Sequence, residues 1–206
     1  MKHFVLFLFF FAIAFSACKK KNINFVLKGN VSALAIGGNL ENVEVKIFTS
    51  SLGNAFESLN SQTVTDASGN YSIEIERDKY EKITVQLSKS NFFTLRKTYS
   101  FDDFSTAQAN ELNYKMSPQS WTNFVLQNTS PSQGDELKIH KIGGKTDCED
   151  CCNNGFYFFY DVDTIFTCPN DGGTYTKFHY WINEDNHVFD SVYNTPFETA
   201  TYVISY

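Results

Sequence analysis

The sequence contains no arrangement of residues that is typical of a catalytic site. It has no Gly-x-Ser-x-Gly nucleophile motif, no His-Glu-x-x-His zinc motif and no glycine-rich loop of the phosphate-binding kind. Its histidines at 140, 179 and 187 are scattered over predicted strands. The sequence therefore predicts no catalytic residue, no cofactor and a role other than catalysis. An exported hydrolase whose residues converge at the interface of two domains is the alternative.

Basic residues are too few for a protein that binds nucleic acid. The chain has 17 Lys and Arg against 23 Asp and Glu, and its formal net charge is −6 at pH 7. That charge becomes −7 if a signal peptide containing Lys2 is removed. Because phosphate backbones bind to basic surfaces, nucleic acid is excluded as a partner.

Apolar residues do not recur at the spacing of a helix anywhere after residue 24. They alternate with polar residues instead, as where Val43, Val45 and Ile47 are separated by Glu44 and Lys46. We expect an all-β protein. The predicted strands are 24–31, 42–49, 61–65, 70–76, 82–88, 94–100 and 111–116 in the first half, and 122–128, 136–142, 155–166, 175–183, 187–193 and 199–206 in the second.

The segment 63–73 contains a turn motif that is typical of a β-domain. Asp66-Ala67-Ser68-Gly69-Asn70 supplies turn formers between two predicted strands, which predicts a hairpin after which Tyr71 enters the core. Together with the segments 29–31 and 40–45, this motif resembles the carboxypeptidase regulatory-like domain, a transthyretin-like Greek-key β-sandwich. The resemblance covers residues 24–116 and implies a scaffold that accompanies enzymes or transport proteins.

The second half of the chain predicts another β-domain. The strand pattern pauses around residues 117–120, and short strands then recur between clusters of turn-forming residues. Regular spacing of this kind is typical of a β-sandwich. We therefore expect two consecutive β-sandwich domains, at 24–116 and 117–206.

The first residues of the chain predict export and a lipid anchor. A basic start precedes an apolar run at 4–15, which is too short to cross a bilayer and typical of a signal peptide. Phe15-Ser16-Ala17-Cys18 resembles the lipobox of bacterial lipoproteins, although Leu is usual where Phe15 stands. This resemblance implies that residues 1–17 are a cleaved signal peptide, that Cys18 is acylated, and that residues 18–23 form a tether. We expect membrane attachment in the cell envelope, at the outer membrane; an ordinary signal peptide cut after Ala17 is the alternative.

Four further cysteines are predicted to form two disulfide bonds, because an oxidising envelope favours disulfides over free thiols. A bond between the adjacent Cys151 and Cys152 is strained. Two pairings are left: Cys148–Cys151 with Cys152–Cys168, or Cys148–Cys152 with Cys151–Cys168. A redox pair at Cys148 and Cys151 and a zinc site made of four thiolates are the alternatives.

Carboxylates near these cysteines offer the hard oxygen ligands that calcium binds. Asp161 and Asp163 would project from one face of the predicted strand 155–166, and Asp171 follows in a turn cluster. The spacing of an EF-hand loop is missing, so no metal site is predicted. A calcium-stabilised structural or adhesion unit is retained as an alternative function.

Aromatic residues crowd the predicted strand 175–183. If alternate members face outward, Tyr175 and Trp181, with Trp121 from another strand, form a candidate platform for sugar rings or for the side chains of a partner. The other interpretation buries them in a core or against a neighbouring domain. The sequence thus predicts a lipid-anchored accessory protein that binds or scaffolds an envelope protein or a glycan.

Overall fold

The computed structural model describes residues 23–54 and 56–206, which form an all-β protein. These residues contain fifteen strands and one short 3-10 helix, Phe101–Asp103. No helix in this part of the chain has the length and apolar character needed to span a membrane. The predicted signal peptide and Cys18 lie outside the described residues.

Eight strands of the first half form two sheets around one hydrophobic core. One sheet has the order β4-β1-β7, with β8 also pairing with β1, and the other has the order β3-β2-β5-β6. The strands are β1 Asn24–Ala33, β2 Glu44–Ser51, β3 Ser58–Val64, β4 Asn70–Glu76, β5 Tyr80–Ser88, β6 Leu95–Ser100, β7 Asn110–Glu111 and β8 Tyr114–Met116.

The turn at 66–70 does not form the predicted hairpin. β3 pairs with β2 and β4 pairs with β1, so the turn carries the chain from one sheet to the other. The Asp66 carboxylate accepts hydrogen bonds from the backbone N–H groups of Ser68 and Asn70, and Gly69 adopts a φ of 74°. Tyr71 then enters the core as predicted, with only 5% of its surface exposed.

The predicted strand 111–116 is divided into β7 and β8, and the break has a steric reason. At residues 112–113 the chain passes directly over Gly29 of β1, where a Cβ atom would lie 1.9 Å from the Leu112 carbonyl oxygen. The Asn113 Oδ1 atom accepts a hydrogen bond of 2.8 Å from the backbone N–H of Asn30, in place of a regular strand partner. This close approach is compatible only with glycine at position 29.

Seven strands of the second half form two further sheets around their own core, as a β-sandwich. A four-stranded sheet has the order β11-β10-β13-β14, and a three-stranded sheet has the order β12-β9-β15, in which β15 runs parallel to β9. The strands are β9 Gln119–Gln127, β10 Glu136–Gly143, β11 Gly155–Tyr160, β12 Thr164–Asp171, β13 Thr174–Ile182, β14 Asn186–Asn194 and β15 Thr199–Ser205.

The predicted strand 155–166 is wrong, because the chain changes sheets at 161–163. Asp161 has a φ of 46°, which ends β11, and the chain then enters β12 in the opposite sheet. Asp161 and Asp163 therefore lie in a turn and do not share the face of one strand. Pro169 is accommodated within β12 because this strand lies at the edge of its sheet.

Candidate functional site

The outer side of the sheet β11-β10-β13-β14 carries the largest group of exposed rings in the second sandwich. Along β13, Thr176 and Phe178 point into the core and are fully buried, so His179 and Trp181 point away from it. The pairing of the four strands then brings side chains from distant positions into two rows. We call these residues the aromatic face: Phe156, Phe158, Lys138, His140, His179, Trp181, His187 and Phe189.

Strand register determines which residues of the aromatic face are neighbours. In one row, Lys138 lies opposite both Phe158 and Trp181, and Trp181 lies opposite His187. In the next row, His140 lies opposite both Phe156 and His179, and His179 lies opposite Phe189. Directly opposite side chains on one side of a sheet are in contact distance, so each row is a continuous surface.

Stacked rings pack the second row tightly. The His140 and Phe156 rings have centroids 4.2 Å apart and an interplanar angle of 21°. The His179 ring lies 3.6 Å from the centroid of Phe189 and 3.6 Å from that of Trp181. Such contacts hold the imidazoles in place and present ring surfaces to solvent.

Large apolar side chains of the aromatic face are open to solvent. Phe156 is 53% exposed, Phe158 is 51% exposed and Phe189 is 66% exposed. Scattered exposed apolar residues are common, but a contiguous exposed group on a soluble surface marks an interaction site. The geometry is that of a flat binding surface, and its rigid strands fix the positions of the rings.

His179 is the one buried member of the aromatic face, with 8% of its surface exposed. Its Nε2 atom is enclosed and has no hydrogen-bond partner among the described residues. Burial lowers the pKa of His179 below its ordinary value, and His187, His140 and Lys138 lower it further by repulsion. The neutral form of the imidazole is therefore favoured, and its enclosed nitrogen is an unused hydrogen-bonding group.

Lys138 adds a cation to the centre of this surface. Its Nζ atom lies 4.4 Å from the centroid of the Trp181 ring. An ammonium group over an indole ring is attracted to the electron-rich face of the ring.

The structure separates the three aromatic residues that the sequence singled out. Trp181 belongs to the aromatic face, and Tyr175 lies farther along the same side of β13, where it packs against Tyr193 at 5.1 Å. Trp121 lies on β9 and faces outward from the opposite sheet. A single platform containing all three residues is therefore not present.

Sequence reasoning missed most of the aromatic face, including its three histidines. His140, His179 and His187 are far apart in the chain and meet only through strand register. One signal was available in β11, where Phe156 and Phe158 alternate with Tyr157 and Phe159. A strand with aromatic residues on both sides must expose one set, because the other set fills the core.

The four cysteines form the first of the two predicted pairings. Cys148 is bonded to Cys151, and Cys152 is bonded to Cys168. The second bond joins the loop before β11 to β12 and so links the two sheets. With all four sulfur atoms in disulfides, the alternative of a zinc site made of four thiolates is wrong.

Lys141 reinforces the cysteine-containing loop from within. Its side chain is 1% exposed, and its ammonium group donates hydrogen bonds to the carbonyl oxygens of Lys145 and Cys152 and to the amide oxygen of Asn154. Burial lowers the pKa of Lys141. Three acceptors satisfy the three N–H groups of the lysine, so the loop is attached to β10 as well as to β12.

Two of the three carboxylates considered for calcium, Asp163 and Asp171, lie close to nitrogen atoms of other residues. The Asp163 Oδ1 atom accepts a hydrogen bond of 2.7 Å from the backbone N–H of Asn128, and an Asp171 oxygen lies 3.3 Å from the Nζ atom of Lys145. Within residues 23–54 and 56–206, no group of three or more His, Cys, Asp or Glu side chains is arranged to hold a metal ion.

Fold and site together define a class: a disulfide-bonded β-sandwich protein with an exposed aromatic face. Two disulfides are typical of proteins that function in an oxidising compartment, which here means the cell envelope or the exterior. No family model and no curated protein matches the sequence. The resemblance of residues 24–116 to the carboxypeptidase regulatory-like domain, and the boundary at 116/117, stay predictions.

Solved structures show distant similarity. The Bacillus anthracis TIE protein is 13% identical over 89% of this chain, with a TM-score of 0.39, and this chain spans 34% of its length. A streptococcal ancillary pilin is 12% identical over 91% of the chain and 63% of its own, with a TM-score of 0.36. The shaft pilin SpaA from Lactobacillus rhamnosus GG is 9% identical over 90% of the chain and 98% of its own, with a TM-score of 0.34. Similarity at this level carries no conclusion about function.

Proposed function

We propose that the protein is a non-catalytic glycan-binding module of the bacterial cell envelope, attached to the outer membrane through lipid on Cys18. The observation that carries this proposal is the aromatic face, where three exposed phenylalanine rings surround the half-buried Trp181 on a rigid sheet. The C–H groups of a pyranose pack against aromatic rings, while its hydroxyl groups need hydrogen-bonding partners close by.

The distribution of polar groups favours a glycan over a protein partner. The centre of a protein–protein interface is depleted in charged residues, which lie at its rim. Here Lys138 lies between Phe158 and Trp181, and the imidazoles lie between further rings. Hydrogen-bonding groups interleaved with rings suit a ligand whose own surface alternates between C–H groups and hydroxyls.

Electrophoresis through native gels tests the proposal. Gels containing xylan, glucomannan, alginate or polygalacturonate retard a protein that binds the included polysaccharide. We expect retardation by at least one of them, and we expect Trp181→Ala to abolish it. Trp121→Ala is the matched control, because it removes the same side chain from the opposite sheet and should leave retardation unchanged.

Two results would contradict the proposal. Migration of the wild-type protein unaffected by all four polysaccharides removes the evidence for glycan binding. Equal loss of retardation in Trp181→Ala and Trp121→Ala, with both variants folded by circular dichroism, removes the aromatic face as the site.

The lipid anchor requires a separate experiment on the full chain. We expect the wild-type protein to partition into the detergent phase and Cys18→Ser to remain in the aqueous phase, because acyl chains provide the membrane affinity. Retention of Cys18→Ser in the detergent phase would contradict the anchor.

A further inference from the structure

We propose that the glycan bound by the aromatic face is acidic, carrying carboxylates such as those of uronic acids, and that the histidine cluster takes up protons when it binds. This inference rests on the proposed function and names the chemistry of its ligand. It is carried by the charge of the face and by the enclosed nitrogen of His179.

The aromatic face differs in charge from the rest of the chain. The whole sequence has a formal net charge of −6, yet the outward positions of the four strands contain Lys138, Lys177 and one carboxylate, Glu136. Two lysines against one carboxylate make these outward strand positions positive even with neutral imidazoles, whereas Glu184 and Asp185 lie in the turn beyond the end of β13. An anionic ligand is attracted to this side of the molecule and repelled by the acidic remainder.

Three histidines lie next to one another on this surface. His140 faces Phe156 of β11 and His179 of β13, and His179 faces Phe189 of β14. The charged groups along these strands are Glu136, Lys138 and Lys177 on the outer side and Lys141 and Asp190 on the inner side, and the turn that joins β13 to β14 contains Glu184 and Asp185. Without a ligand, His187, His140 and Lys138 oppose the protonation of His179.

A ligand carboxylate changes this balance. Nε2 of His179 has no hydrogen-bond partner in the described residues, and Phe189, whose ring stacks on the His179 ring, is itself two-thirds exposed. A ligand carboxylate that reaches this nitrogen, as an anion, favours the protonated imidazole. Binding then takes up protons, so affinity rises as the pH falls through the range in which histidine titrates.

Calorimetry with matched ligands tests the inference on the purified protein. The probes are oligogalacturonate, oligomannuronate and the methyl ester of each, in which the sugar rings are kept and the carboxylate charge is removed. We expect the acids to bind about tenfold more tightly at about pH 5.5 than at about pH 7.5, and the esters to bind weakly with no such dependence. Titration in buffers of different ionisation enthalpy should show net proton uptake for the acids alone.

Variants assign the effect to individual groups. His187→Gln changes an exposed side chain and should reduce the ratio of affinities at the two pH values. His140→Gln provides a second test of the same expectation. Lys177→Gln is the matched control: it removes an outward cation that does not contribute to the lowered pKa of His179, so it should weaken acid binding at both pH values and leave the ratio unchanged.

The outcomes distinguish this inference from the proposed function. Equal binding of acids and esters, or binding of neutral xylan with no binding of either acid, overturns the acidic ligand and leaves glycan binding intact. Tight acid binding without proton uptake overturns the role of the histidines. Failure to bind any polysaccharide overturns the proposed function itself.

Discussion

Asn194→Ala should destabilise the second sandwich more than any substitution of a half-exposed amide. The Asn194 side chain is fully buried and uses its complete hydrogen-bonding capacity. Its Oδ1 accepts from Asn170 Nδ2 at 2.8 Å and from Thr176 Oγ1 at 2.9 Å, and its Nδ2 donates to the Trp121 carbonyl at 3.1 Å and to Thr122 Oγ1 at 2.8 Å. The network connects the two sheets.

The expected magnitude follows from what the substitution leaves behind. Thr122 and Thr176 retain the hydrogen bond between their hydroxyls, and Asn170 retains its contact with Thr174. The other contacts are lost in a region that excludes water, and each stranded group costs about 1–3 kcal/mol. We expect a total loss of about 3 kcal/mol, a large fraction of the stability of an ordinary domain.

Tryptophan fluorescence during urea unfolding measures this loss selectively. Both tryptophans of the chain, Trp121 and Trp181, lie in the second half, so the signal reports on that sandwich. Asn123→Ala is the matched control, because Asn123 is half-buried and its side chain accepts one hydrogen bond, from Thr167. A free energy of unfolding for Asn194→Ala within about 0.5 kcal/mol of wild type would refute the reasoning, since surface substitutions change stability by no more than that.

Two further predictions concern the same half of the chain. Replacing Cys152 and Cys168 by Ser should lower the free energy of unfolding by about 3 kcal/mol, and replacing Cys148 and Cys151 by Ser should lower it by about 2 kcal/mol, because the Cys152–Cys168 bond closes the longer loop. Equal losses in urea unfolding would contradict this. The backbone N–H and hydroxyl of Ser132 lower the pKa of Asp135 to about 2, so its stabilising effect is present above its unfolded pKa of about 3.9 and is lost as the pH falls toward 2. Asp135→Asn should therefore flatten the dependence of the urea midpoint on pH in that acidic range, and an unchanged slope would show that Asp135 is not responsible.

Strands were predictable where one side of the chain is apolar and the other polar. The strand 70–76 is found with its predicted bounds, because Tyr71, Ile73 and Ile75 alternate with polar residues. The end of β11 was not predicted, and a single strand at 155–166 was expected instead. Aromatic residues occupy both sides of β11, and the turn at 161–163 contains neither Gly nor Pro. In that turn Asp161 adopts a positive φ. Aspartate tolerates this conformation, but the presence of aspartate in a sequence does not predict it.

The candidate site was predictable only in part, since it depends on pairing between distant strands. The sequence indicated that Trp181 lies on an aromatic strand, and the structure places it outward. The pairing of His140 with His179 could not be predicted from the sequence, because the register of β10 against β13 is set by the whole sandwich. For the same reason Trp121 could not be assigned to the opposite sheet in advance.

The parallel pairing of β15 with β9 constrains the order of folding. Trp121 pairs with Thr199, so the three-stranded sheet cannot close until the last strand of the sandwich is available to its first. Long-range pairings of this kind slow the folding of a domain, because a large loop must be ordered before its contacts form. The second sandwich therefore cannot complete its three-stranded sheet until Thr199–Ser205 has been synthesised.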